Sequence, residues 1–74
     1  MLQSILIHRI NNSLEEAVRW VISHGYKANK IDITESYYRF RQVSPSTLKN
    51  NGYKGYITKT IDKKRKIKFV IAIQ

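Results

Sequence analysis

The sequence predicts an α+β fold: one amphipathic helix packed on a four- to five-stranded, mostly antiparallel sheet, in the order β-α-β-β-β-β. Three observations predict it. One stretch, residues 14–24, carries apolar side chains at helical spacing. Several others alternate, or run apolar, over strand length. The proline and the asparagine, serine and glycine clusters fall between them. Seventy-four residues make a single domain, 1–74. A chain of this size buries about 60% of its unfolded surface, enough for one modest core.

Residues 4–10 read as the first strand. Ile5, Ile7 and Arg9 alternate with Leu6, His8 and Ile10, and apolar residues on both faces predict an interior position. His8 has ligand and general-base chemistry, but a lone strand histidine reads as a packed or half-exposed side chain. Asn11 and Asn12 connect to the helix. Ser13 and Glu16 form a Ser-x-x-Glu capping box, and Glu15 and Glu16 suit the positive end of the helix dipole. Leu14, Ala17, Val18, Val21 and Ile22 make the apolar stripe. Gly25 supplies the left-handed residue after the last turn, and Tyr26 packs back on Val21 in a Schellman-type end. The helix therefore runs from Leu14 to His24. Trp20 reads as a core-edge side chain at the helix–sheet seam rather than a ligand-stacking one, and His24 as a partner of the dipole.

Lys30 to Thr34 alternates as a strand. Thr34-Glu35-Ser36 is a tight connection to the next, Tyr37 to Val43, so the two should pair antiparallel. Along that strand Tyr38, Phe40 and Gln42 face the core, while Tyr37, Arg39, Arg41 and Val43 face away. Ser44-Pro45 stops it. Within the loop from Ser44 to Gly52, Pro45 to Lys49 suits one short helical turn with Leu48 dipping into the core. Tyr53 to Ile61 is the next strand, with Tyr53, Ile57 and Ile61 on one face and Lys54, Tyr56, Thr58 and Thr60 on the other. Gly55 weakens it, or permits a bulge or a close approach. Asp62 to Lys66 is a basic hairpin turn. Ile67 to Ile73 is apolar on both faces towards its end and belongs inside the sheet.

The net charge is +9, from 14 lysines and arginines against 5 acids. Arg9 and Arg19 cancel Glu15 and Glu16, so the whole excess lies in residues 27–74. Such asymmetry points to a polyanion, nucleic acid first, with solubility as the bland alternative. The sequence carries no Ser-His-Asp order, no carboxylate pair at catalytic spacing and no glycine-rich phosphate loop, which argues against an enzyme. No cysteine is present, and His8 and His24 have no metal-ligand spacing. No cofactor, small-molecule substrate or membrane partner is expected. No signal peptide is apparent in residues 1–10.

The candidate site is a binding face. Tyr37, Arg39 and Arg41 share one side of their strand, Lys54 and Tyr56 share a side of theirs, and Lys68 lies opposite Ile67 and Phe69. Pairing that brings these together gives a plate of arginine, lysine and tyrosine. Arginine forks phosphates and tyrosine stacks on unpaired bases. Lys63, Lys64, Arg65 and Lys66 add phosphate contacts from the hairpin. In the alternative reading Arg39 and Arg41 pair with Asp32 or Glu35, and Tyr37 and Tyr56 are cross-strand pairs.

The helix from Ser13 through Trp20 to His24-Gly25-Tyr26, followed by Tyr38-Arg39-Phe40-Arg41-Gln42 and a terminal apolar strand, resembles a small module in proteins of tailed phages and large DNA viruses. That module occurs alone and beside phage head-maturation protease domains. The resemblance covers about Leu2 to Ile73. It implies a viral α+β module serving genome, capsid or host takeover, in the host cytoplasm or the virion and not secreted. No protease residues carry over, because the protease part is absent. Two functions are therefore expected: a nucleic-acid-binding protein using the sheet face and hairpin, or a structural or interaction module using that face as a homodimer or partner interface.

Overall fold

β1 (Leu2–His8) runs through the middle of a five-stranded sheet in the computed structural model, which describes residues 1–74. α1 (Leu14–Ser23), β2 (Ile31–Ile33), β3 (Tyr37–Arg41), α2 (Pro45–Asn50), β4 (Gly55–Asp62) and β5 (Ile67–Ile73) follow. The strand order is β2-β3-β1-β5-β4, with every neighbouring pair antiparallel. The fold is α+β, with one main helix on a sheet. β1 and β5 are interior, as their two-sided apolar patterns require.

α1 closes at both ends with the chemistry its sequence carries. Ser13 Oγ accepts from the Glu16 N–H at 3.2 Å, and Glu16 Oε1 accepts from the Ser13 N–H at 3.1 Å. At the other end the Tyr26 N–H donates to Val21 O and the Gly25 N–H to Ile22 O, each at 3.0 Å, a full Schellman motif with Gly25 at φ +82°. The helix stripe meets the sheet through Ala17 and Val21, which pack with Ile5, Ile7, Phe40 and Ile67 in the main core. Trp20 closes the seam edge-on to Phe69, 6.5 Å between ring centroids. His24 caps the helix, with Nδ1 2.8 Å from Trp20 O.

α2 lies on the second face of the sheet. Its Leu48 is buried but separate from the main core, and Pro45 and Lys49 flank the same cavity as Tyr56, whose side of β4 is opposite α1. Ser44 caps it through the Thr47 N–H, and Pro45 occupies its first turn. The second face is thus covered at one end and open over the rest.

Several boundaries differ from the sequence expectation. β1 begins two residues earlier because Leu2 pairs with Ile71 of β5, and it ends two residues earlier, at His8, where the Ile10 N–H turns back onto His8 Nδ1 at 3.1 Å. β3 stops at Arg41, where the Gln42 and Val43 N–H groups both converge on Gln3 O in place of regular pairing. Gln42 accordingly does not enter the core. Its amide brackets the Lys27 backbone, accepting from N at 3.0 Å and donating to O at 2.8 Å. β4 starts at Gly55, not Tyr53, and a second bulge between Thr60 and Asp62 removes Ile61 from the regular alternation.

Candidate nucleic-acid interface

The register defines the second face row by row. Tyr37 lies across from His8. Asp32, Arg39, Leu6, Lys68 and Thr60 form the next row across all five strands. Arg41, Ser4, Val70 and Thr58 form the third, and Ala72 and Tyr56 lie beyond it. Five sequence-predicted residues, Tyr37, Arg39, Arg41, Tyr56 and Lys68, therefore share one face, opposite α1. They do not form one continuous plate.

At the hairpin end Tyr37, Lys63, Lys66 and Lys68 converge with His8 and Thr60 around an open cavity of about 360 Å³. No carboxylate lines it. Lys68 Nζ stands 5.7 Å from the Tyr37 ring centroid, a cation–π distance, and His8 meets the same ring edge-on at 4.9 Å. Because His8 Nδ1 accepts from the Ile10 N–H, the neutral ring carries its proton on Nε2 and can donate from there. Lys66 adopts φ +55°, the left-handed region, in the turn that closes the hairpin. Asp62, the acid nearest in sequence, accepts from the Arg65 N–H at 2.9 Å.

Compared with family models, curated proteins and solved structures, the chain matches none. No three His, Asp or Glu side chains gather closely enough to hold a metal ion, and no helix is long and apolar enough to cross a membrane.

The remaining predicted residues go elsewhere. Arg39 turns inward over β1, donating from Nε to Ser4 Oγ at 3.1 Å and from a terminal nitrogen to Gln3 Oε1 at 3.0 Å. Arg41 pairs with Asp32 at 3.5 Å, the chain's one ion pair. Both partners are substantially exposed, and such a pair contributes under about 1 kcal/mol. Arg41 also lines a small cavity with Lys27 and Lys30. Lys54 and Tyr56 lie at the far end, in a groove of about 530 Å³ with Pro45, Lys49 and Tyr53. Tyr37 and Tyr56 are not cross-strand partners: Tyr37 faces His8, and Tyr56 faces Ala72. Arg65 points to the helix side of the sheet, and Lys64 is exposed in the hairpin. His8, Thr60 and Lys49 were not among the predicted contacts. Thr60 shared a predicted face with Lys54 and Tyr56, and His8 lay on an assigned strand. Only the strand order brings them to the lysines.

Proposed function

We propose that this chain is a small basic nucleic-acid-binding protein, not an enzyme, that engages a single strand with the hairpin end of its open sheet face. One observation carries the reading: Tyr37, Lys63, Lys66 and Lys68 gather from two strands and a turn around a cavity with no carboxylate. Three ammonium groups favour a phosphate there. Lys68 stands 5.7 Å over the Tyr37 ring, so a phosphate that draws the ammonium away would free the ring for a base. Stacking of that kind is worth about 1–3 kcal/mol per base and tolerates any sequence. Arg41 and Lys30, towards β2, line a separate small cavity with Lys27 that offers a second phosphate contact. A viral setting, as the resemblance implies, supplies an abundant substrate in the genome.

The test is fluorescence anisotropy with labelled single- and double-stranded oligonucleotides at low and high salt, alongside a Tyr37→Ala/Lys68→Ala variant. Salt-sensitive, single-strand-preferring binding that weakens in the variant supports the proposal. Absence of binding at low salt, or equal binding by the variant, overturns it.

A protein partner is the second reading, favoured by the groove beside α2. There Pro45, Tyr53 and Tyr56 give an apolar floor, with Lys49 and Lys54 at its margin. That combination suits an acidic, aromatic-bearing peptide. A Tyr56→Ala variant with unchanged oligonucleotide affinity but lost partner capture would favour it.

A further inference from the structure

A second polar cavity, of about 330 Å³, lies on the helix side of the sheet between α1 and the β4–β5 hairpin. Arg19 reaches it from α1 and Arg65 from the hairpin. The wall between them is fixed: the Asn12 side-chain amide donates to both His8 O and Arg65 O, each at 3.0 Å. Arg65 uses only its backbone in these contacts, and neither guanidinium has an ion-pair partner within 4 Å. The one acid in the groove, Glu16, is committed to the helix cap through the Ser13 N–H. The Ser13 hydrogen bonds, and to a smaller extent the charges of Arg19 and Arg65, hold its carboxyl below the usual range.

Beside the two arginines is a flat aromatic ledge. His24 stacks on Trp20 with 3.9 Å between ring centroids and 17° between planes. Two unpaired guanidiniums suit a phosphate, and a stacked ring pair next to them suits a heteroaromatic base. We propose that this groove binds one nucleotide unit, its phosphate on Arg19 and Arg65 and its base on the His24–Trp20 stack. The assignment stands apart from the sheet-face reading, since the two cavities share only the hairpin. Lys63 and Lys66 serve one side of the sheet and Arg65 the other. The unit is either a free mononucleotide or one residue of a strand that rounds the hairpin.

Trp20 is the only tryptophan, so its fluorescence reports this groove directly. The full chain is titrated with AMP, with a short oligo-dA, with adenosine and with inorganic phosphate. Saturable quenching by AMP, weaker with adenosine and with phosphate, is expected. Affinity should fall about tenfold in Arg65→Ala, the loss of one charge-assisted contact. Quenching by the oligonucleotide but not by AMP would make the ligand part of a strand, and the reverse would make it a free nucleotide. A Tyr37→Ala/Lys68→Ala variant should respond as wild type, which separates this groove from the sheet face. Arg19 and Arg65 are exposed, so their variants should fold, and unchanged thermal unfolding checks this. No response at roughly 5 mM AMP or oligonucleotide, above any millimolar Kd, would overturn the proposal. So would equal quenching by phosphate alone, or loss of the signal in the sheet-face variant.

Discussion

Arg39 Nε donates to Ser4 Oγ at 3.1 Å, and Ser4 is wholly buried at the centre of the sheet. Gln3 beside it is buried too, and its amide bridges outward to Val43 O at 3.2 Å. The guanidinium is thus a second partner for two polar side chains that also bond each other, Ser4 Oγ donating to Gln3 Oε1, where β1 bulges. Arg39→Ala should lower stability by about 1–3 kcal/mol, because it removes two hydrogen bonds from a charged donor to buried side chains that then keep only each other and Val43 O. Arg41→Ala should cost under about 1 kcal/mol, since its pair with Asp32 is exposed. Urea denaturation of the two variants checks the contrast, and equal losses would refute it.

Lys66 sits at φ +55° in a basic turn. Lys66→Gly should raise stability by about 1 kcal/mol, since glycine adopts that conformation without a Cβ clash. The same change should weaken oligonucleotide binding and reduce the slope of log K against log salt by about 1. Measured together, thermal unfolding and salt-dependent anisotropy should move in opposite directions.

The glycines separate in the same way. Gly25→Ala should destabilise by about 1 kcal/mol or more through its φ of +82° alone, because a Cβ there meets no atom within 4 Å. Gly55→Ala should be neutral to slightly stabilising, as its Cβ would rest 3.7 Å from Ile73 Cγ1, an ordinary contact. Denaturation midpoints of the pair test this.

Glu16 carries the chain's clearest pH signature. Its carboxylate accepts the Ser13 N–H and itself benefits from the Ser13 hydroxyl, which lowers its pKa. A carboxyl with a depressed folded pKa adds stability that is fully present above the unfolded value, about 4.3, and is lost as pH falls through the folded one. Thermal unfolding followed down through pH 4 should therefore show a Glu16-dependent loss that is absent in Glu16→Gln. In Ser13→Ala the cap itself goes, at a cost of about 1 kcal/mol at neutral pH.

Leu48 anchors α2 over the second face and is almost completely buried. Leu48→Ala should cost about 2–5 kcal/mol by leaving a cavity. It should also disturb the Tyr56 groove while leaving the Tyr37 end intact. Chemical shifts of the two tyrosines would show whether the ends respond independently.

The features written in neighbouring residues could be read directly. The capping box, the Schellman end, Pro45 in a short helix and the basic turn each depend on contacts a few positions apart. The helix and the five strands followed from apolar period. What the chain could not announce were the bulges. Gln3 and Ser4 look like surface residues, yet both are buried beside the irregularity between β1 and β5, where Arg39 covers them. That burial separates Arg39 from Arg41, two arginines that alternation treats as equivalent. Likewise, alternation put Tyr37 and Tyr56 on the same face, but the strand order set them at opposite ends of it.

The first strand and the last lie side by side at the middle of the sheet, with Ile5 facing Phe69 and Ile7 facing Ile67. Contacts between such distant positions close a long loop before they return any energy, which slows folding. α1 and the β2–β3 hairpin have no completed core to settle on until β5 arrives. During synthesis the chain should therefore gain stable structure in a single late step, and a fragment ending before Ile67 should remain unfolded and prone to proteolysis.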